Sequence, residues 1–212
     1  VAINFCQASM SSQWQEGACL SADEREYVEY YRQVHRIVSN LHDVKWENFI
    51  LRMTLVNFAN HENLYRTIKR IHGYYKPKFF FLHFYGHGGP KGIRFGERSE
   101  VSYFNDIEIS RWINKKLIPC PNLIVFNACE SKALAQRLVE SCTVNQSFAC
   151  LGCEGRIAPS YIRTFAAKLY YQLALHIAKR TDGLSLYSLY KTIRDEAEGE
   201  QGSKTGVYIC FR

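Results

Sequence analysis

Phe79-Phe80-Phe81-Leu82-His83-Phe84-Tyr85 runs into Gly86-His87-Gly88-Gly89, and Leu123-Ile124-Val125-Phe126 runs into Asn127-Ala128-Cys129-Glu130-Ser131. Each stretch is a short, nearly continuous apolar run that stops at small or polar residues. That is the pattern of a strand buried on both faces, which belongs to a parallel sheet covered by helices. The surrounding segments agree. Residues 1–8 read as a first strand, and 23–41 as a helix in which Val28, Tyr31, Val34, Val38 and Leu41 recur at three- and four-residue intervals. Residues 49–58 are rich in β-formers, and Asn60 is placed to cap a helix carrying Leu64, Ile68 and Ile71 inward. A hairpin is expected to pair Ile93-Arg94-Phe95 with Val101-Ser102-Tyr103. Helices are predicted over 106–117, 130–140, 160–179 and 185–198, with strands at about 147–152 and 207–211. The fold this order predicts is α/β: a three-layer α-β-α sandwich with a mostly parallel sheet, in one domain spanning residues 1–212.

Composition narrows the class. The 212 residues are 47% hydrophobic and 22% charged, ordinary for a globular protein. No apolar run approaches the roughly 20 residues of a membrane-spanning helix. Val1 to Ser12 lack the basic start and long apolar middle of a secretory signal. The 8 cysteines are spread without repeated spacing, and a chain this long needs no disulfide scaffold. A reducing, cytoplasmic setting is therefore expected, and the Val1 start suggests part of a longer or regulated protein. The net charge of +7 is mild. Arg66, Lys69, Arg70, Lys76 and Lys78 fit a solvated helix face better than a nucleic-acid surface, which would need an aromatic platform or recognisable motif.

The chemistry gathers where the two apolar runs end. Open parallel sheets collect ligands beyond the carboxyl ends of their strands. If these strands are neighbours, the imidazole of His87 and the thiol of Cys129 emerge on one rim. A thiol is a weak nucleophile until deprotonated, and a nearby histidine can take its proton and return it to a leaving amine. A following helix N-terminus would favour the thiolate. The amides of Gly88 and Cys129 are candidates for holding a developing oxyanion. His83, inside the apolar run, reads as a core histidine. Asp106 reads as a helix N-terminal acid rather than a third member behind His87. Cys150 and Cys153 have the spacing of half a zinc site, but no second pair completes four ligands, so they read as core cysteines and no metal is expected.

At these residues the chain resembles a known family. HFYGHGG (83–89) is similar to the histidine motif, and FNACES (126–131) to the cysteine motif, of the caspase-like cysteine peptidases. The nearer likeness is to the CHAT branch, related to caspases and separases. It extends over about residues 79–180, through Leu151-Gly152-Cys153-Glu154-Gly155, Pro159 and a Phe/Tyr-rich helix. The resemblance implies a cysteine endopeptidase acting on protein substrates through an acyl-enzyme. His87 would be its base, Cys129 its nucleophile and Gly88 an oxyanion donor, with no cofactor and with control by another domain or partner. Asn127 would face the first specificity pocket, and it is neither an acid nor the glutamine of the caspase Gln-Ala-Cys pattern, so strict Asp specificity is not expected. Glu154 would favour Lys or Arg at P1 and Arg156 an acid; the basic preference is favoured. Gly155-Arg156 and Ser160 stand where the CHAT pattern tends to place an aromatic and an Asp, so the pocket has diverged. Two other readings stand beside this one: a catalytically silent CHAT-like scaffold, and a basic nucleic-acid-binding domain.

Overall fold

A strand apolar on both sides needs cover on both sides, and the central strands have it. The computed structural model describes residues 2–8, 52–58, 61–76, 79–89, 91–95, 102–145, 148–156, 159–178 and 206–211, with single positions 29, 32, 36, 191 and 195. Among these, the elements in chain order are β1 (Ala2–Ala8), β2 (Arg52–Phe58), α1 (His61–Tyr75), β3 (Phe80–Tyr85), β4 (Gly88–Gly89), β5 (Gly92–Phe95), β6 (Ser102–Phe104), α2 (Asp106–Asn114), β7 (Leu123–Asn127), α3 (Lys132–Ser141), β8 (Ala149–Glu154), α4 (Pro159–Ala178) and β9 (Gly206–Phe211). The main sheet runs β2-β1-β3-β7-β8-β9, and a small sheet runs β4-β5-β6. Every pairing in the main sheet is parallel except β8 with β9. The chain thus has a mixed α/β fold built on a mostly parallel sheet, as its sequence predicts.

The chain divides into two compact units. The first comprises Val1–Trp14, Leu51–Arg156 and Gly206–Arg212, and holds both sheets with α1, α2 and α3. Its core joins Leu64 and Ile68 of α1, Phe84 of β3, Phe104 of β6, Trp112 of α2, Phe126 of β7 and Leu138 of α3. Phe84 stacks on Phe126 with centroids 5.5 Å apart and meets Phe104 at 5.0 Å, close enough for favourable ring contacts beyond simple burial. The register Leu82↔Ile124 and Phe84↔Phe126 sets those four side chains on one face. Phe81, His83, Leu123 and Val125 point the other way and are buried too. The second unit comprises Gln15–Ile50 and Ile157–Thr205. Its described part is α4, opened by Pro159 at the first helical position, with Phe165, Leu169, Tyr170 and Leu173 buried, and the helical residues Glu29, Arg32, Arg36, Lys191 and Asp195.

Several boundaries differ from expectation for local reasons. The helix expected over 106–117 stops at Asn114, because Lys116 turns left-handed with φ 54°. The amides of Lys116 and Leu117 then donate to Ile113 and Trp112 carbonyls, closing the helix in a Schellman turn. The helix expected from Glu130 begins at Lys132, and the strand expected at 147–152 runs to Glu154 because β9 pairs with it up to Gly206. The expected hairpin forms between β5 and β6, but it gains a third strand from Gly88–Gly89. The rest of the helices expected over 23–41 and 185–198, the cap at Asn60 and the turn at 96–100 lie outside the described residues. No described helix is long and apolar enough to cross a membrane.

His83 supplies a test of this packing. Burial drives its pKa from 6.5 down to about 3, so the folded protein holds it neutral. The unfolded chain takes up its proton first, so the stability linked to this group is complete above pH 6.5 and is lost as pH falls toward 3. Urea unfolding between pH 6 and 4 is expected to lose about 1.4 kcal/mol per pH unit through this residue, and His83→Gln should remove that part of the slope.

Candidate active site

Parallel neighbours in register end at the same rim. β3 and β7 pair from Phe81↔Leu123 to Tyr85↔Asn127, and His87 and Cys129 each follow two residues beyond that last pair. This is the carboxyl rim, where sheets of this kind bind ligands. The two segments then touch. A β-carbon added to Gly88 would lie 2.6 Å from the Ala128 Cβ and 3.0 Å from the Cys129 nitrogen, and closer still to the Cys129 carbonyl oxygen. Only glycine allows that approach. The loop bearing His87 therefore rests directly on the backbone bearing Cys129.

The hairpin beyond the loop holds it there. Gly88 and Gly89 pair with Ile93 and Gly92, and the Arg94 amide donates to the His87 carbonyl at 2.8 Å. His87 is exposed and Cys129 half-buried.

A sharp turn follows Cys129. Glu130 adopts a left-handed φ of 55°, and its amide donates to the Gly155 carbonyl at 3.0 Å. That conformation keeps Glu130 out of the helix and leaves Cys129 three residues before α3. Ser131 is the helix N-cap, yet its side chain makes no capping bond. Instead its buried hydroxyl lies 2.9 Å from the Phe126 carbonyl and 2.7 Å from that of Ala128, able to donate to either, and accepts the Cys153 amide at 3.0 Å. The turn packs so closely on β8 that a β-carbon at Gly152 would meet the Ser131 carbonyl oxygen at 2.6 Å.

Cys153 lies next to this turn. Burial chiefly pushes its thiol up to about 12; the neighbouring Cys129 adds to the rise, while hydrogen bonding from Ser131 and the Ala128 backbone opposes it. Cys153 thus stays a thiol at ordinary pH. Strand alternation sends Cys150 and Cys153 to opposite faces of β8, which defeats any shared metal. Among the described residues, no three His, Cys, Asp or Glu side chains gather as a metal site.

The other expected site residues fall as follows. Asn127, the last residue of β7, is buried. Glu154 ends β8 with its side chain 55% exposed, and Lys132 reaches it at 3.2 Å. Arg156 lies just beyond, exposed. His87, Gly88 and Cys129 are thus brought to one rim, with Asn127 at the end of β7 and Glu154 at the end of the neighbouring β8. Asp106 is engaged elsewhere: Asn105 caps α2, and Asp106 binds Arg137 of α3 at 2.9 Å. On α1, Arg66 pairs with Glu62 at 2.7 Å and Lys69 lies over the Tyr65 ring. Sequence reasoning missed Ser131 and Gly152. Serine before a helix reads as an ordinary cap, and nothing local signals that its hydroxyl turns back.

No protein-family model matches the chain, and no curated protein matches it. Solved structures do resemble it. One is a secreted C11 cysteine protease from Bacteroides thetaiotaomicron, solved in complex with an irreversible peptide inhibitor, with a TM-score of 0.54 and 11% identity. The match covers 99% of this chain and 65% of that one, so this chain spans about two thirds of the protease's length. Another is a serine phosphatase of the RNA polymerase II CTD (SSU72 superfamily) from Drosophila melanogaster, with 13% identity, 100% and 99% coverage, and a TM-score of 0.32 that carries no weight. At 11% identity the likeness to the protease is one of fold, and the fold is caspase-like.

The two neighbouring glycines of the loop test the close approach. Gly88→Ala should cost at least about 2 kcal/mol by urea unfolding, because backbone on both segments must move. Gly89→Ala, with nothing within 4 Å of its added β-carbon, should stay within about 0.5 kcal/mol of the parent.

Proposed function

We propose that the chain is a cysteine endopeptidase of the CHAT-like branch, with Cys129 as nucleophile and His87 as general base. The observation that carries this reading is the seating of the Gly88 backbone on the Cys129 backbone at the end of two register-matched strands. Likeness of fold to a cysteine protease supports it. In the proposed reaction His87 accepts the thiol proton as the Cys129 sulfur attacks the carbonyl carbon of a peptide bond. The amides of Gly88 and Cys129 hold the oxyanion. His87 then gives its proton to the departing amine, leaving a thioester on Cys129. Water, deprotonated by the same imidazole, adds to the thioester; the new carboxylic acid departs and the thiol is restored. The chemistry needs only these side chains and water.

For substrate choice, Asn127, Glu154 and Arg156 border the first specificity pocket. Glu154 favours Lys or Arg at P1, since a basic side chain can take the place that Lys132 holds at 3.2 Å. The substrates are cytoplasmic proteins, and an additional domain or partner controls access.

Cys129→Ala should lower peptide hydrolysis by on the order of 10³-fold or more while leaving circular dichroism and the unfolding midpoint close to the parent's. His87→Ala should slow both hydrolysis and iodoacetamide labelling of Cys129, read by peptide mass spectrometry. A Cys129→Ala protein that still cleaves a positional peptide library would sink the assignment. Parent protein in which Cys129 labels no faster than Cys120 or Cys142, with no peptide cleaved, would mark a silent scaffold instead.

A further inference from the structure

We propose that Ser131 is a positioning residue for the nucleophile: its hydroxyl, rather than the helix that follows, sets the direction in which the Cys129 sulfur leaves the sheet. The inference rests on the peptidase reading above and adds a residue to it. Serine at a helix N-cap ordinarily turns its oxygen onto an amide of the first turn. Ser131 occupies that place and does not do so. Ser131 is 1% exposed, and its oxygen faces three backbone groups near Cys129: the Phe126 carbonyl at 2.9 Å, the Ala128 carbonyl at 2.7 Å and the Cys153 amide at 3.0 Å. Two of these precede Cys129 in the chain and one belongs to the adjacent strand. One hydroxyl thus ties the end of β7 to the end of β8, with the nucleophile held in the span between.

The surroundings restrain the turn further. Glu130 is fixed in a left-handed conformation by its bond to the Gly155 carbonyl, so the chain on the far side of Cys129 is anchored to the same end of β8. Gly152 sits against the Ser131 carbonyl with no room for a β-carbon, so the turn cannot settle further onto the strand. Without the hydroxyl, the Ala128 carbonyl and the Cys153 amide lose a shared partner inside the protein, and the peptide units beside Cys129 are released to rotate. A shift of about 1 Å at a reacting atom is enough to cost on the order of 100-fold in rate.

The test uses Ser131→Ala and Ser131→Thr, with Leu138→Ala in the buried face of α3 as a control that loosens the same unit without touching the turn. For each protein, Cys129 alkylation by iodoacetamide is followed from pH 5 to 9 by mass spectrometry, peptide hydrolysis is resolved into kcat and KM, and unfolding is measured in urea. Ser131→Ala should lower kcat by about tenfold to a hundredfold with KM within about threefold, and should displace the pH midpoint of Cys129 alkylation. Ser131→Thr, which keeps the hydroxyl, should restore both, and Leu138→Ala should lower the unfolding midpoint while leaving kcat and the alkylation profile in place. If Ser131→Ala does not fold, Ser131→Cys, which is somewhat larger but fills the site with a weaker hydrogen-bonding group, carries the same comparison. An unchanged alkylation profile in folded Ser131→Ala or Ser131→Cys would overturn the proposal, as would a control that loses as much kcat as Ser131→Ala. Absence of hydrolysis in the parent would overturn the peptidase reading alone, since the alkylation profile still reports on the turn.

Discussion

Two backbones crossing without room for a β-carbon define the carboxyl rim of the sheet. Gly88 lies against Ala128 and Cys129, and that approach requires its strand to end level with the neighbouring one. The level ends come from the register Tyr85↔Asn127, and the register is held by matched packing of the buried side chains, with Phe84 stacked on Phe126. Core packing thus reaches the rim through the strands. Phe84 against Phe126 sets the alignment three residues before His87 and Cys129.

The turn after β7 works by opposing costs and gains. A left-handed Glu130 costs on the order of 1 kcal/mol or more relative to glycine at that conformation. The bond to Gly155 offsets part of it, and the Ser131 hydroxyl adds restraint by donating to a backbone carbonyl while accepting the Cys153 amide. The helix is entered only after this turn is made. Its N-terminal residues make room for that order, because the cap position has surrendered its side chain. Farther away, Asp106 and Arg137 join α2 to α3 and keep the acid out of the rim.

Much of this was legible in the residues because apolar runs announce strands and glycines announce where they stop. β3 and β7 could be bounded to within a residue at their carboxyl ends, which is where the candidate residues stand. The inward positions Leu64, Ile68 and Ile71 followed from helical spacing and are buried as that spacing requires. What escaped detection depends on partners distant in sequence. Gly88–Gly89 is a strand only because Ile93 comes back to pair with it. β8 extends to Glu154 because β9 runs beside it, and no local signal in Cys153-Glu154 demands that. Glu130 and Lys116 take a conformation that glycine usually signals, so their turns were read as helix.

Cys153 has one more consequence. A second sulfur beside the proposed nucleophile would ordinarily compete for any electrophile that enters the rim, and mixed adducts would blur the chemistry. Here burial keeps that sulfur protonated far above neutral pH, so Cys153 contributes no thiolate beside Cys129. A thiol-directed reagent that reaches the turn would therefore meet the half-buried Cys129 ahead of the buried Cys153.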